Sequence, residues 1–332
     1  MQDPSALYRL ETDTDIAHLR AEYLLVALDG FLDAGHTQRL LVRHLLGTLE
    51  HSVVATFELD ELLDYRGRRP VMTYDRDRWT SYVDPALVLY RMLDDDGVPF
   101  LLLSGPEPDY QWERTVLAIR QLIRRFGVKL TMNVQGVPMA VPHTRPVGMS
   151  VHATTDELRG TKEPVFGLVQ VPGSLAALLE LRLGEAGERA IGWAAHVPHY
   201  LAQADFPAAS VGVLEAMTKL TGLKINDLAL VMAMAENMKA LEGEIAQTED
   251  AAEVVGALEK QYDAFIAGRQ RRALLSGDDS ELPTADELGK EFERFLQAQP
   301  EPPDVPGSSG APGASEPGDG PAGPDAGGRT DR

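Results

Sequence analysis

The chain has 332 residues and no cysteine, with 51 Asp and Glu against 31 Lys and Arg, which leaves a net charge of −20. That charge argues against a nucleic-acid phosphate backbone and against an anionic membrane surface as partners. The lack of cysteine removes disulfides, thiolate zinc sites, iron–sulfur clusters and a cysteine nucleophile.

The start, Met1-Gln-Asp-Pro-Ser5, has no basic patch and no apolar h-region, and no apolar run approaches the ~20 residues that cross a bilayer. A cytoplasmic protein is expected. Tyr23 to Leu28 reads as a buried strand, followed by a helix with Leu41, His44, Leu45 and Leu49 on one face. Ser52 to Phe57 and Pro99 to Ser104 are further strands. Trp112, Val116, Ile119, Ile123 and Phe126 then mark a helix that Gly127 stops. Strands are expected at Lys129–Val134, Met149–Ala153, Val165–Val171 and Ala190–His196, with helices near Leu175–Leu183 and Ala208–Leu220. Alternating strands and helices predict an α/β fold of three layers around a mainly parallel sheet.

From Asn226 the pattern is only helical. Asn226 is placed to cap a helix through Leu228, Met232, Ala235 and Met238, and Val255, Leu258, Tyr262 and Phe265 form a second stripe. Thr284-Ala-Asp-Glu287 fits a capping box ahead of Leu288, Phe292 and Phe295. Met232, Met234 and Met238 read as core packing, or else as an adaptable partner groove. From Pro300 the last 33 residues include 8 Pro and 8 Gly, a composition that cannot bury enough surface to order itself. The expected division is an α/β domain over 1–223, a helical extension over 224–298 and a disordered tail over 299–332. Leaving out the six acids and two arginines from Pro300 onward, the remainder still carries −16.

No P-loop, dinucleotide fingerprint, nucleophile elbow, zincin motif or calcium loop is present. Polar clusters stand instead at strand ends, where open α/β sheets place ligands. The first is Asp29-Gly30-Phe31-Leu32-Asp33-Ala34-Gly35, in which Asp33 either caps the next helix or takes part in catalysis. The second is Ser104-Gly105-Pro106-Glu107-Pro108-Asp109 with Trp112; Asp109 suits an N-cap, and Glu107 is a base, a cation ligand or a salt-bridge partner. The third is Val141-Pro142-His143-Thr144-Arg145-Pro146. There His143 suits proton transfer, and Arg145 suits an anion or an internal pair with Glu107 or Asp33. The fourth is Val197-Pro198-His199-Tyr200. His143, His152, His199 and Asp33 lack the local spacing of metal ligands, so no metal is expected, and no cofactor.

Taken in order, these four segments, with Phe57-Glu-Leu-Asp-Glu-Leu-Leu-Asp-Tyr65 and Arg69-Pro70, resemble the proteasome assembly chaperone family of the chaperone-two type. The resemblance spans Tyr23 to Leu223 and makes Asp29, Gly30, Asp33, Gly35, Gly105, Pro106, Glu107, Pro108, Trp112, Pro142, His143, Arg145, Pro146, Pro198, His199 and Tyr200 the family-motif residues. It implies a fold similar to purine nucleoside phosphorylases and peptidyl hydrolases, and long bacterial forms with a helical C-terminal extension. It also implies homo-oligomers, a trimer among them, and, in eukaryotic and archaeal members, binding to proteasome subunits. Such members commonly end in a hydrophobic–Tyr–any tripeptide, whereas this chain ends Thr330-Asp331-Arg332.

Three readings follow. The first is a non-enzymatic interaction or assembly-chaperone-like protein whose acidic surface suits a basic partner face. The second is an enzyme with a pocket lined by Asp33, Glu107, His143 and Arg145, where Arg145 holds an anion and His143 or Glu107 moves a proton. The third is a self-assembling scaffold with Pro106, Trp112, Pro146 and Tyr200 in a rigid interface.

Overall fold

The computed structural model describes residues 3–12, 14–160, 167–247 and 249–275. The run Leu24 to Leu28 is buried throughout, as suits a strand covered on both sides. It lies within β2 (Tyr23–Asp29), near the middle of an eight-stranded sheet.

In chain order the strands are β1 (Tyr8–Leu10), β2, β3 (His51–Phe57), β4 (Met72–Asp75), β5 (Arg78–Tyr82), β6 (Val88–Leu93), β7 (Pro99–Pro106), β8 (Leu130–Met139), β9 (Met149–Ala153) and β10 (Ala190–Pro198). The helices are α1 (Thr14–His18), α2 (Thr37–Thr48), α3 (Trp112–Phe126), α4 (Asp156–Arg159), α5 (Leu175–Glu185), α6 (Pro207–Thr221), α7 (Leu228–Ala246) and α8 (Glu249–Leu275). The large sheet runs β1-β3-β6-β7-β2-β8-β10-β9, while β4 and β5 form a separate hairpin. Its centre, β7-β2-β8-β10, is parallel. The flanking ladders are antiparallel.

Alternate residues of the central strands feed two apolar cores. Leu24, Val26, Leu101 and Leu103 meet α3 and α5 on one face. Leu25, Ala27, Leu102 and Met132 meet α2 and α6 on the other. The chain leaves β2 for one face and β7 for the other, so a crevice opens at their carboxyl ends.

Two features differ from the sequence reading. Residues 167–171, expected to be strand, have no regular structure, and residues 161–166 lie outside the described residues. Val169 and Val171 stay exposed beside a cavity, so their β-branching reflects a loop wall rather than a ladder. Strands β1 and β6 and the β4–β5 hairpin go beyond what was read from the sequence.

Asn226 stands one residue before the cap position of α7, which Asp227 holds, and its Oδ1 accepts from Leu228 N at 3.0 Å. Helix α7 packs on α6, placing Leu230, Met234 and Met238 in the second core and leaving Met232 exposed. The Nε2 of His44 lies 2.8 Å from the Asn226 carbonyl. Residues Met1–Gln270 form one compact unit, so α7 belongs with the sheet. The Thr284 capping box, the Leu288–Phe295 stripe and the tail from 299 lie outside the described residues. Among the described residues no helix is long and apolar enough to cross a membrane. Leu230→Ala is expected to cost about 2–4 kcal/mol by opening a cavity under α7. Urea unfolding checks this; an unchanged midpoint would mean that α7 contributes nothing to the core.

Candidate functional site

The four polar segments meet at the carboxyl end of the parallel strands. After β2 the chain turns through Gly35 and His36, both left-handed, with φ of 66° and 49°. The turn leaves the first amides of α2 facing back toward Asp33. Its Oδ1 accepts from Gln38 N at 2.8 Å and its Oδ2 from Arg39 N at 3.2 Å. Asp33 thus caps α2, one of the two roles open to it. Burial pushes its carboxyl above the usual range, against the pull of those amides. Asp29 is raised too, first by burial and then by Asp33.

Gly35 ties this segment to the fourth. Its N–H donates to Ala202 O at 3.1 Å, and Phe206 N donates to its carbonyl at 2.9 Å. A Cβ at Gly35 would come within 2.9 Å of the Phe206 Cβ, so the approach needs glycine on two counts.

At the end of β7, Glu107 is only 5% exposed. Its N–H donates to Asp29 O at 3.1 Å, joining the second segment to the first. One carboxylate oxygen accepts from Leu175 N at the start of α5, and the other lies against Gly30. Arg68 donates to the Glu107 carbonyl at 2.8 Å and to the Asp29 carbonyl at 3.3 Å, and pairs with Asp109 at 3.0 Å. Asp109 also accepts from Asp64 N at 2.8 Å and does not cap α3. Gln111, left-handed with φ of 57°, occupies that cap position. Trp112 donates its indole N–H to Pro108 O.

In the third segment, Tyr200 Oη accepts from His143 N at 3.0 Å and lies 2.8 Å from His143 Nδ1. Burial holds His143 below the usual histidine range. Arg145 pairs with neither Glu107 nor Asp33. It makes a two-pronged contact with Asp263, at 2.9 and 2.8 Å, and a further bond to Glu259 at 3.1 Å, both on α8. Thr144 donates to Glu259 as well, and Tyr262 Oη to Pro146 O. Bidentate pairing with a nearby carboxylate explains the choice.

The segments are therefore linked in the order second, first, fourth, third, but their polar side chains do not converge. Among the described residues no hydrogen bond joins any two of Asp33, Glu107, His143 and Arg145. A cavity of about 520 Å³ opens beside them, and of these four Glu107 alone lines it. Its other polar walls include Asn133, Gln135, Ser150 and His152. His152 Nδ1 lies 2.8 Å from Glu180, so His152, His143 and Asp33 have separate partners. Among the described residues no three His, Asp or Glu side chains group to hold a metal. Arg68, Glu180 and His196 were missed from the sequence, because each acts on a partner far along the chain.

The PAC2 family model matches residues 27–247. A Mycobacterium tuberculosis protein of unknown function is 44% identical, with 81% of this chain and 92% of that chain covered and a TM-score of 0.77. A Corynebacterium glutamicum protein of unknown function is 36% identical, covering 79% and 98%, with a TM-score of 0.74. A proteasome-assembly chaperone homologue from M. tuberculosis has the same fold at 22% identity, covering 70% and 99%, with a TM-score of 0.63. No curated protein matches the sequence.

Gly35→Ala is expected to cost about 1–3 kcal/mol through crowding against Phe206, read as a fall in the urea midpoint. His143 and His196 are both held neutral by burial, so in each case the unfolded chain binds its proton first as pH falls. Stability should therefore decline as the pH drops below about 6.5. Urea midpoints at pH 7.5 and 5.5 test the sign.

Proposed function

The chain belongs to the PAC2 family, and on that premise we propose that it is an interaction protein of assembly-chaperone type. The observation that carries this reading is the β4–β5 hairpin. Met72, Tyr74, Trp79 and Tyr82 are all exposed on it, Trp79 by 63%, and Val71 and Val83 are exposed beside it. Tyr74 and Trp79 pack edge to face at 5.0 Å. The hairpin forms its own two-stranded sheet. Such a hairpin is marginal in water by itself, and a contiguous apolar patch marks a protein contact.

A second copy of this chain is the proposed cover for the hairpin, in a closed homo-oligomer, for which the family resemblance suggests a trimer. The motif end of the sheet is the proposed face for a different partner, a proteasome subunit. Phe31, Tyr110 and Tyr200 are exposed there on loops braced by prolines and by the hydrogen bonds described above. The proteasome-assembly chaperone homologue with the same fold supports the choice, and the acidic folded surface suits a basic partner face.

Light scattering of the full chain is expected to give a multiple of the single-chain mass, and Trp79→Glu a folded single chain. A wild-type protein that stays a single chain at micromolar concentration removes the self-association reading. Binding of purified proteasome α-type subunits, weakened by Phe31→Glu, is the expected result for the other face. No binding by the wild type overturns the proteasome link.

A further inference from the structure

The sheet face under α5 is polar where a core would be apolar. Side chains alternate along a strand, so Asn133 and Gln135 of β8, Ala194 and His196 of β10, and Ser150 and His152 of β9 point to one side. Met149, Val151 and Ala153 of β9 point to the other and pack against the apolar core there.

Two histidines on this face are held in different ways. His196 is 8% exposed, and its Nε2 lies 2.8 Å from Ser150 Oγ. Its Nδ1 would be 2.8 Å from a Cβ at Gly148, so glycine leaves the ring its place. His152 lies over Gly192, where a Cβ would fall 2.1 Å from its Cε1. Glu180 fixes that ring at Nδ1 and accepts from Asn133 Nδ2 at 2.7 Å. Glycine inside a strand weakens it and marks a close approach. Here Gly192 inside β10 and Gly148 just before β9 each leave room for an imidazole. Ser150 and His152 line the 520 Å³ cavity, of ordinary size for a small-molecule site.

We propose that Ser150 is the nucleophile, and His196 its general base, of an acyl-transfer site that takes carboxylic esters with a short apolar acyl chain. The Ser150 Oγ–H proton passes to His196 Nε2 as Oγ bonds to the ester carbonyl carbon. The C–O bond to the alcohol then breaks, and the alcohol leaves with the proton from His196. Water attacks the acyl carbon, giving a proton to His196; the Oγ–C bond breaks, the carboxylic acid departs and the proton returns to Oγ. The first turn of α5 forms part of the same wall, with its Leu175 amide already spent on Glu107 and its Ala177 amide on Ser174. Leu28, Val137 and Met139 suit the acyl chain, and the Glu107 carboxylate disfavours an anionic substrate. Burial keeps His196 neutral, the state a base needs. The catalytic pair is independent of the interaction reading, because Ser150 and His196 lie on neither the hairpin nor the motif loops, although Phe31 of the motif face also lines the cavity.

The test uses the full chain with an alkyl fluorophosphonate and with p-nitrophenyl butyrate. Peptide mass spectrometry should find the phosphonyl adduct on Ser150, and Ser150→Ala should reduce butyrate hydrolysis to the uncatalysed rate. His196→Gln should slow labelling by about 100-fold or more. No adduct on the wild-type chain, or an adduct only elsewhere, overturns the proposal. So does wild-type labelling by a His196→Gln chain that is folded by circular dichroism. If His196→Gln does not fold, the adduct position and Ser150→Ala decide.

Discussion

Gly35 closes the sheet's carboxyl end. Both of its backbone hydrogen-bonding groups are spent on the segment after β10, at a φ and a spacing that leave no room for a side chain. Everything around it follows from that stitch. The turn it shares with His36 frees the α2 amides for Asp33, and the segment it anchors carries Tyr200 to His143. The same logic holds across β2 and β7, where Arg68 gathers two carbonyls and a carboxylate. Loops of this kind are usually mobile, but these are braced, and a braced loop loses little entropy when a partner arrives.

The elements were largely legible in the sequence, because the buried parallel strands are continuous apolar runs and α3 shows a regular apolar stripe. The hairpin was not. Its strands are exposed on every residue, so no alternation distinguishes an inner from an outer face. Val169 and Val171 failed in the opposite direction, looking like strand while walling a cavity. The motif residues could be picked out as polar groups near strand ends, yet their partners could not. Arg145 is matched to Asp263, 118 positions away, and nothing local ranks that carboxylate above Glu107. Ser150 and His196 carry no shared motif at all; only the register of β9 beside β10 brings them together.

The molecule thus separates two kinds of surface. The hairpin and the motif loops carry exposed aromatics, and a set of enclosed polar groups lies between α5 and the sheet. The two meet at Phe31, which is exposed on a motif loop and also lines the cavity. Helix α8 adds a constraint of its own. By neutralising Arg145 and covering Thr144, it takes the third motif segment out of contention as a free anion clamp.

The sheet's two margins differ in what they offer a stranger. Strand β1 is three residues long and already answers to β3, so it presents hardly any unsatisfied ladder for another molecule to copy. Runaway stacking of sheet upon sheet is thereby discouraged at that border. That border then gives fibre growth little template on which to begin.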